Sequence, residues 1–319
     1  MKIVVLDGYA ENPGDLTWSA LENLGNLMVY DRTEETKIVE RINDAEIVIV
    51  NKTKIDKTVL DACPEIRYIG VLATGYNNID IEYAKKRGIL VANVPTYGTF
   101  AVGQFAIALL LEICHRIGHH DKVVHEGKWT NNLDWCFWDY PLIELSGKTM
   151  GIIGFGHIGK TTGRIGKALG MNIIAYTPNP QAEDKKEVEF VDKLDDFFAQ
   201  ADVVVLHCPL FPETKEIINK TNIEKMKDGV IIINNSRGGL INEKDLAGAL
   251  KSGKIYAAGL DVVATEPIDK ENPLLTAPNC IITPHISWAA KESRKRLLNI
   301  AVENVAAFIA GKAINIVNK

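Results

Sequence analysis

The chain has 319 residues, of which 46% are hydrophobic and 24% are charged, and its formal net charge is −5. This length allows roughly two domains that each bury a core, and the composition is typical of a soluble globular protein. Because acidic residues slightly outnumber basic ones and no long basic run occurs, we do not expect nucleic acid or anionic membrane surfaces as partners.

The N-terminal run MKIVVLD is interrupted at Asp7, too early for a secretory signal, and no stretch has the length of a membrane span. The five cysteines are scattered and include no CxxC pair. This distribution predicts reduced thiols and a cytoplasmic location. It predicts neither a disulfide framework nor a zinc site.

Short apolar runs alternate with helical patterns through residues 1–98. The runs are KIVVL, LMVY, EIVIV, RYIGVL and ILVAN, and the helical patterns between them cover residues 16–24, 34–42, 57–63 and 79–87. This alternation predicts right-handed crossovers and a parallel sheet covered on both faces. No glycine-rich phosphate turn occurs in this part of the chain.

The turn ATGYNN follows the buried run that ends near Val71. Ligands bind at the carboxyl ends of strands in open parallel sheets, and successive backbone amides in such a turn can hold a carboxylate. Thr74 and Gly75 are therefore candidates for binding an acidic substrate. An ordinary turn into the next helix, capped by Asn77 or Asn78, fits the pattern equally well.

Residues 99–117 form a helical pattern rich in Ala and Leu, which predicts a buried helix that leads from the first domain into the second. Four histidines lie at or beyond its end: His115, His119, His120 and His125. They lack the carboxylate or thiolate company of a metal site, so a solvated helix end is favoured over metal binding.

The segment NNLDWCFWDYPL concentrates Trp135, Phe137, Trp138 and Tyr140 in a few residues. Because exposing this cluster would be costly, we expect a partner subunit or the other domain to cover it. A dimer contact is favoured over a ligand-stacking role, and a part in shaping the active site from across an interface stays open.

The strongest motif is GFGHIG, which follows the apolar run TMGII and leads into an amphipathic helical pattern. Gly154, Gly156 and Gly159 have the GxGxxG spacing, which allows a tight turn, close approach of a pyrophosphate and close helix packing. The first amides of the helix then face an anion. Lys160 does not have the spacing of a Walker phosphate loop, so the motif predicts a dinucleotide site.

The alternation resumes after this motif with MNIIAYT, ADVVVLHCPL, VIIINNS, IYAAGLDVV and CIITP. These runs predict a second doubly wound sheet of about six or seven strands. A last helical pattern, residues 288–311, is apolar enough to return to the first sheet. The predicted domains are residues 1–98 with 289–319, and residues 99–288, with a cleft between them that closes on substrate.

The strand after the glycine helix ends at Tyr176 and Thr177, where dinucleotide folds usually carry an acidic residue for the adenosine ribose. Thr177 can hydrogen-bond to a ribose but cannot repel a 2′-phosphate. No Arg or Lys lies between Gly170 and Asp184 to attract one. The pattern favours NAD(H) and does not exclude NADP(H).

Three chemically capable side chains follow apolar runs of the second domain. Arg237 in NNSRGGL suits a bidentate contact with a carboxylate or a ketone oxygen, although a surface arginine in a turn fits too. Glu266 and His285, if they meet, would form an acid–base pair in which the carboxylate fixes the imidazole tautomer. Each alone is more often structural, but with a dinucleotide fingerprint they predict hydride transfer at an alcohol carbon.

GFGHIG, HCPLFPET, NNSRGG, GLDVVATEP and ITPHIS occur in the order found in the D-isomer-specific 2-hydroxyacid dehydrogenases, which the chain resembles over almost its whole length. The resemblance implies two doubly wound α/β domains, a discontinuous flavodoxin-like substrate domain and a Rossmann NAD-binding domain. DGYAENPGDLTW, GVLATGYN and WCFWDYPLIEL are most like members that reduce hydroxypyruvate. A cytoplasmic homodimer that reduces hydroxypyruvate or glyoxylate with NADH is therefore expected, with no metal.

The resemblance also assigns residues. It implies that Arg237 orients the substrate, that His285 is the acid or base and that Glu266 is its partner. Backbone around Ala73, Thr74 and Gly75 would contact the substrate carboxylate. The cofactor contacts that it implies fall at Thr74, Gly154, Gly156, His157, Ile158, Gly159, Thr177, Cys208, Pro209, Thr214, Asn235, Ser236, Arg237, Asp261 and His285.

The chain departs from the family pattern at Thr177, where an acidic residue is usual, and at Gly103–Phe105, where many members have Ala-Glu-His. The regulatory C-terminal domain of some phosphoglycerate dehydrogenases is absent. Two other readings stay open: reduction of a different 2-keto acid with a lactate-like or aromatic side chain, and a cofactor-sensing protein similar to the C-terminal-binding corepressors.

Overall fold

A computed structural model describes residues 1–130 and 132–319, which divide into two compact units. The first unit contains Met1–Gly98 and Trp288–Lys319, and the second contains Thr99–Ser287. The chain therefore leaves the first unit after Gly98 and returns to it at Trp288.

The first unit is built on a parallel sheet of five strands in the order β2-β1-β3-β4-β5. The strands are β1 (Lys2–Val5), β2 (Asn26–Val29), β3 (Ile47–Val50), β4 (Tyr68–Val71) and β5 (Leu90–Ala92). The helices between them are α1 (Ser19–Glu22), α2 (Ile38–Ile42), α3 (Lys57–Ala62) and α4 (Ile81–Lys86). This order is that of the flavodoxin-like doubly wound fold.

The second unit is built on a parallel sheet of seven strands in the order β12-β11-β10-β9-β6-β7-β8. Two helices precede it, α5 (Thr99–His115) and α6 (Ile117–His125). The strands are β6 (Thr149–Ile153), β7 (Asn172–Tyr176), β8 (Glu189–Phe190), β9 (Val203–Leu206), β10 (Val230–Asn234), β11 (Ile255–Leu260) and β12 (Cys280–Ile282). The intervening helices are α7 (His157–Ala168), α8 (Leu194–Gln200), α9 (Lys220–Glu224) and α10 (Glu243–Ser252).

The last helix, α11 (Lys291–Ile309), covers one face of the first sheet. Its buried Leu297, Leu298 and Val305 pack in one apolar cluster with Ile47 and Tyr68 of the sheet. A separate cluster on the opposite face includes residues of α2, α3 and α4. Covering on both faces explains why the strands read as continuous apolar runs and not as alternating ones.

Helix α5 ends earlier than the sequence pattern predicts. Arg116 adopts the left-handed conformation, with φ 49° and ψ 43°, and separates α5 from α6. No single helix in the described ranges is long and apolar enough to cross a membrane, whereas α5 and α6, bent by 54°, meet the criterion only as a pair. Ala106, Leu110 and Ile113 of α5 are buried in the core of the second unit.

The predicted fold class, two doubly wound parallel sheets, is confirmed. The structure differs in the lengths of some helices. The helix predicted for residues 16–24 is only Ser19–Glu22, because the Asn12 side chain accepts the amides of Gly14 and Leu16 and holds the preceding residues in a turn. Short polar side chains compete with helix formation in this way.

Candidate active site

The glycine turn joins β6 to α7 and leaves no room for a side chain at Gly154. Gly154 has a φ of +91°, and a Cβ atom there would lie 2.5 Å from the Cys208 backbone nitrogen. Helix α7 begins at His157, followed by Ile158, and Gly156 before it provides no side-chain cap. Uncapped amides and the positive end of the helix dipole form an anion-binding cradle at this turn.

The loop after β7 is tied back to the glycine helix. Thr177 is half-buried directly after the strand. Farther along the loop, Asp184 forms an ion pair with Lys160 of α7 at 2.7 Å. Asp184 is only 8% exposed. The sequence analysis missed this pair, because nothing in the spacing links a lysine of the glycine helix to an acid in the following loop.

The loop after β9 carries Cys208, Pro209 and Thr214, which the resemblance implies as cofactor contacts. Thr214 Oγ1 donates to the Pro209 carbonyl at 2.7 Å, which closes the loop into a turn. Ser236 Oγ donates to the Cys208 carbonyl at 2.7 Å and so joins this loop to the end of β10. Burial raises the pKa of the Cys208 thiol to about 11, so the residue is protonated and not nucleophilic at neutral pH.

His207, next to this loop, is a feature that the sequence analysis did not single out. Its Nε2 atom lies 2.7 Å from Thr162 Oγ1 on α7, and Thr162 is fully buried. Desolvation lowers the pKa of the imidazole to about 3, so the ring is neutral at physiological pH. The pair fixes the glycine helix against the end of β9.

Two buried asparagines, Asn234 and Asn235, hold the turn that carries Arg237. Asn234 is fully buried; its Nδ2 donates to the Arg237 carbonyl at 2.9 Å, and its Oδ1 accepts the Ser236 amide at 3.1 Å. Asn235 Nδ2 donates to the Val102 carbonyl of α5 at 2.8 Å, while its buried Oδ1 has no partner in the described residues. The Arg237 side chain is exposed.

Gly238 brings the arginine turn against the loop that leads to Glu266. A Cβ atom at Gly238 would lie 1.9 Å from the carbonyl carbon of Val263, so only glycine permits this contact. The Val263 amide in turn donates to Glu266 Oε1 at 3.3 Å. The close approach therefore fixes the position of the arginine turn relative to the backbone that holds the carboxylate.

Glu266 and His285 form the central pair of this edge of the sheet. His285 Nδ1 lies 2.7 Å from Glu266 Oε2, and the two side chains are 27% and 34% exposed. A carboxylate accepts only, so the Nδ1 atom carries a hydrogen, and in the neutral ring Nε2 is left as the proton acceptor. This is the tautomer that an acid–base histidine needs.

Asp261 positions the histidine loop. Its carboxylate is fully buried; Oδ1 accepts from Thr283 Oγ1 at 2.6 Å and from the Ile286 amide at 2.9 Å, while Oδ2 accepts the Ser287 amide at 2.8 Å. These bonds flank His285, which has a φ of +55°. The resemblance implied Asp261 only as a cofactor contact, and the sequence does not show this anchoring function.

In the first unit, the turn after β4 is held by its carbonyls and its side chains. The Ala73 carbonyl accepts the Val94 amide at 2.9 Å, and Thr74 Oγ1 donates to the Val94 carbonyl at 3.0 Å. Asn93 Nδ2 donates to the Thr74 carbonyl at 2.8 Å. In residues 1–130 and 132–319, the amides of Thr74 and Gly75 have no acceptor within the chain.

The chain is similar to known proteins both in sequence and in structure. The family model for the D-isomer specific 2-hydroxyacid dehydrogenase, NAD binding domain, matches residues 107–287. The chain is 64% identical to a hydroxypyruvate reductase of Blautia hydrogenotrophica over 100% of both chains, and 39% identical to a glycerate dehydrogenase of Methylorubrum extorquens over 88% of each. It is also similar to the structure of an NADPH-dependent glyoxylate/hydroxypyruvate reductase of Sinorhizobium meliloti, with a TM-score of 0.85, 26% identity, and coverage of 99% of this chain and 97% of that one.

The predicted family, the predicted enzyme class and the NAD cofactor are thereby confirmed. The glycine cradle lies in the part of the chain that the NAD-binding model covers. The chain belongs to the D-isomer-specific 2-hydroxyacid dehydrogenases, NAD-dependent oxidoreductases that act on CH–OH donors.

Proposed function

We propose that the protein reduces hydroxypyruvate to D-glycerate, and glyoxylate to glycolate, with NADH. The observation that carries this proposal is the 2.7 Å contact between His285 and Glu266 in the same unit as the glycine cradle. The identity of 64% to a hydroxypyruvate reductase supports the choice of substrate.

The residues of the second unit fit a dinucleotide. The uncapped amides at His157 and Ile158 suit its phosphates, and Thr177 suits the adenosine ribose. The unpartnered, buried Oδ1 of Asn235 is an acceptor that a carboxamide N–H group would satisfy. Cys208, Pro209 and Thr214 on the adenine side, and Ser236 and Asp261 on the nicotinamide side, complete the proposed set.

Each catalytic side chain has one task in the reduction. When bound, the reduced nicotinamide supplies a hydride to the carbonyl carbon of the keto acid. His285 donates its Nε2 proton to the carbonyl oxygen, and Glu266 keeps the Nδ1 proton in place and stabilises the charged ring. Arg237 holds the carboxylate or the ketone oxygen through its guanidinium fork. In the oxidation direction, His285 takes the hydroxyl proton.

The first unit is proposed as the substrate domain. The free amides of Thr74 and Gly75, with the backbone of Ala73, form a turn that suits a carboxylate. Thr74 is also a proposed cofactor contact. The second unit, which the NAD-binding family model covers in large part, is the proposed dinucleotide-binding domain.

NADH is the proposed cofactor in preference to NADPH. Thr177 has no negative charge to repel a 2′-phosphate, but no Arg or Lys lies between Gly170 and Asp184 to bind one. The similar reductase of Sinorhizobium meliloti is NADPH-dependent, so a direct comparison of the two cofactors is required.

We also propose that the protein is a cytoplasmic homodimer. Leu133, Trp135 and Trp138 are 102%, 86% and 65% exposed, and their segment is too apolar for a surface left in water. A second copy of the chain would cover it. The five cysteines, all in the described ranges, are free thiols, which suits a reducing compartment.

The test is a spectrophotometric assay of NADH oxidation with hydroxypyruvate, glyoxylate, pyruvate and an aromatic 2-keto acid, repeated with NADPH. We expect the highest kcat/KM for NADH and hydroxypyruvate. Turnover with none of these acids would refute the proposed reaction, while preference for pyruvate or the aromatic acid would replace the substrate and leave the mechanism intact.

A further inference from the structure

Two adjacent histidines of α6 hold the aromatic segment that follows it. We call this segment, residues 128–130 and 132–142, the aromatic arm. His119 Nε2 lies 2.8 Å from Asp139 Oδ2, and the Asp139 amide donates to His120 Nε2 at 3.2 Å. Both rings therefore contact one residue of the arm, contrary to the solvated helix end that the sequence analysis expected for His119 and His120.

The hydrogen bonds of His120 determine its protonation state. Its Nδ1 atom lies 2.9 Å from the Arg116 carbonyl, which accepts only, so Nδ1 carries a hydrogen. The Asp139 backbone nitrogen donates only, so Nε2 carries none. The observed geometry requires a neutral ring, because a proton on Nε2 would point at the Asp139 amide hydrogen.

Asp139 and Tyr140 connect the two histidines to nearby cationic side chains. Asp139 also binds Lys128, and the lysine and His119 hold the pKa of the Asp139 carboxyl below its usual range. The Arg116 guanidinium lies 5.2 Å from the Tyr140 ring, which in turn contacts both imidazoles edge-on.

Other charged groups nearby are already occupied. Asp121 pairs with His125 at 3.4 Å, Lys122 pairs with Glu126 at 3.7 Å, and Glu112 accepts the Gly118 amide at 3.5 Å. The imidazole rings of His119 and His120 are 5.3 Å apart. Protonation of both would add two positive charges next to Asp139, whose carboxylate already pairs with Lys128.

We propose that His120 is an acid-sensitive clasp: its neutral ring holds the aromatic arm on α6, and its protonation releases the arm and weakens the contact between two copies of the chain. The loosening of the arm follows from the hydrogen bonds of His120 and does not require the homodimer. The effect on the dimer rests on the homodimer proposed above. Imidazole is the side chain whose unperturbed charge change falls between about pH 5 and 8, which sets the pH range of the test.

The experiment compares the wild-type protein with His120→Gln and His119→Gln at pH 7.5 and pH 5.5. Glutamine keeps an uncharged donor and acceptor but cannot take up a proton. His119→Gln is the matched control, because protonation of His119 strengthens its bond to Asp139. Each variant lacks one ionisable imidazole, so the two variants stay matched in charge to each other as the pH passes the isoelectric point near 5.9.

Sedimentation velocity measures the dimer, and intrinsic fluorescence measures the arm, which carries Trp129, Trp135 and Trp138 of the five tryptophans. We expect acid to raise the dimer dissociation constant of the wild type about tenfold or more, since a lost hydrogen bond of this kind is worth roughly a factor of ten. The dissociation constant of His120→Gln should stay nearly unchanged. His119→Gln should keep the acid response.

Identical pH responses of wild type and His120→Gln would overturn the proposal, and so would a wild type that does not respond between the two pH values. If the wild type is monomeric at both, the homodimer is refuted and the fluorescence change alone decides the clasp. If His120→Gln does not fold, His120→Asn serves the same comparison. NADH turnover at pH 7.5 is measured in parallel, so that loss of the proposed reaction is distinguished from failure of the clasp.

Discussion

Replacing Glu11 with glutamine should stabilise the protein, and by more as the pH rises. Glu11 is fully buried in the first unit, and neither carboxyl oxygen has a hydrogen-bond partner in the described residues. Burial, together with the nearby charge of Asp7, raises its pKa from 4.5 to about 9. The position of the Asp7 carboxylate is fixed by hydrogen bonds that it accepts from the backbone amides of Asn51, Lys52 and Thr53.

The magnitude follows from proton linkage. Below pH 4.5 both the folded and the unfolded chain carry the Glu11 proton, so the residue contributes no pH dependence. Between pH 4.5 and about 9 the unfolded chain has released the proton and the folded chain has not, so the free energy of unfolding falls with rising pH. At about 1.4 kcal/mol per pH unit, the cost reaches roughly 3 kcal/mol at pH 7. Glutamine has the same size and removes this cost.

The assay is thermal and urea unfolding of the full chain at pH 5, 6, 7 and 8, with Glu35→Gln, an exposed residue of the same unit, as the control. The advantage of Glu11→Gln over the wild type should grow with pH, while Glu35→Gln shows no such trend. An advantage that is constant with pH, or a variant less stable than the wild type at pH 8, would refute the reasoning.

Three further predictions concern the candidate site. His285→Gln should lower kcat by about 10²- to 10⁴-fold without weakening NADH binding, measured by steady-state kinetics and by quenching of protein fluorescence, because it removes the proton donor. Arg237→Lys should raise KM for the keto acid about tenfold or more, since an ammonium group cannot form the bidentate contact; an unchanged KM would argue against the assigned role. Asp261→Asn puts an amide N–H group against backbone amides and should lower kcat at least tenfold; full activity would show that the histidine loop needs no anchor.

The fold was predictable because each sheet is buried on both faces. Runs such as Ile47–Val50 and Val203–Leu206 are continuous and apolar, and turn residues separate them from helical patterns. The ends of helices were less predictable. Helix α5 stops at His115 because Arg116 takes a left-handed conformation, and the Arg116 side chain bonds to Asn279 Oδ1 at 2.9 Å, far away in the sequence. No local pattern records such a contact.

The general location of the candidate residues in the second unit was also predictable, because parallel strands bring their carboxyl ends to one edge of a sheet. Arg237, Glu266 and His285 each follow a strand of that sheet, and the pairing of the last two is an outcome of this topology. The contacts that hold these residues in position were not predictable. The contact of Gly238 with the Val263 backbone depends on packing between two loops, and a glycine after an arginine reads equally well as an ordinary turn.

Two buried acids illustrate the limit most clearly. Asp261 and Glu11 are both fully buried, although Asp261 lies in the apolar run GLDVV and Glu11 lies among polar residues. Asp261 accepts three hydrogen bonds and holds the loop of His285, whereas Glu11 accepts none and retains its proton. Composition and spacing do not reveal this difference in hydrogen bonding, because it depends on which donors the folded chain turns toward each carboxyl group. Burying an acid is therefore compatible with opposite effects: a hydrogen-bonded anchor where donors converge, and a neutral, destabilising group where they do not.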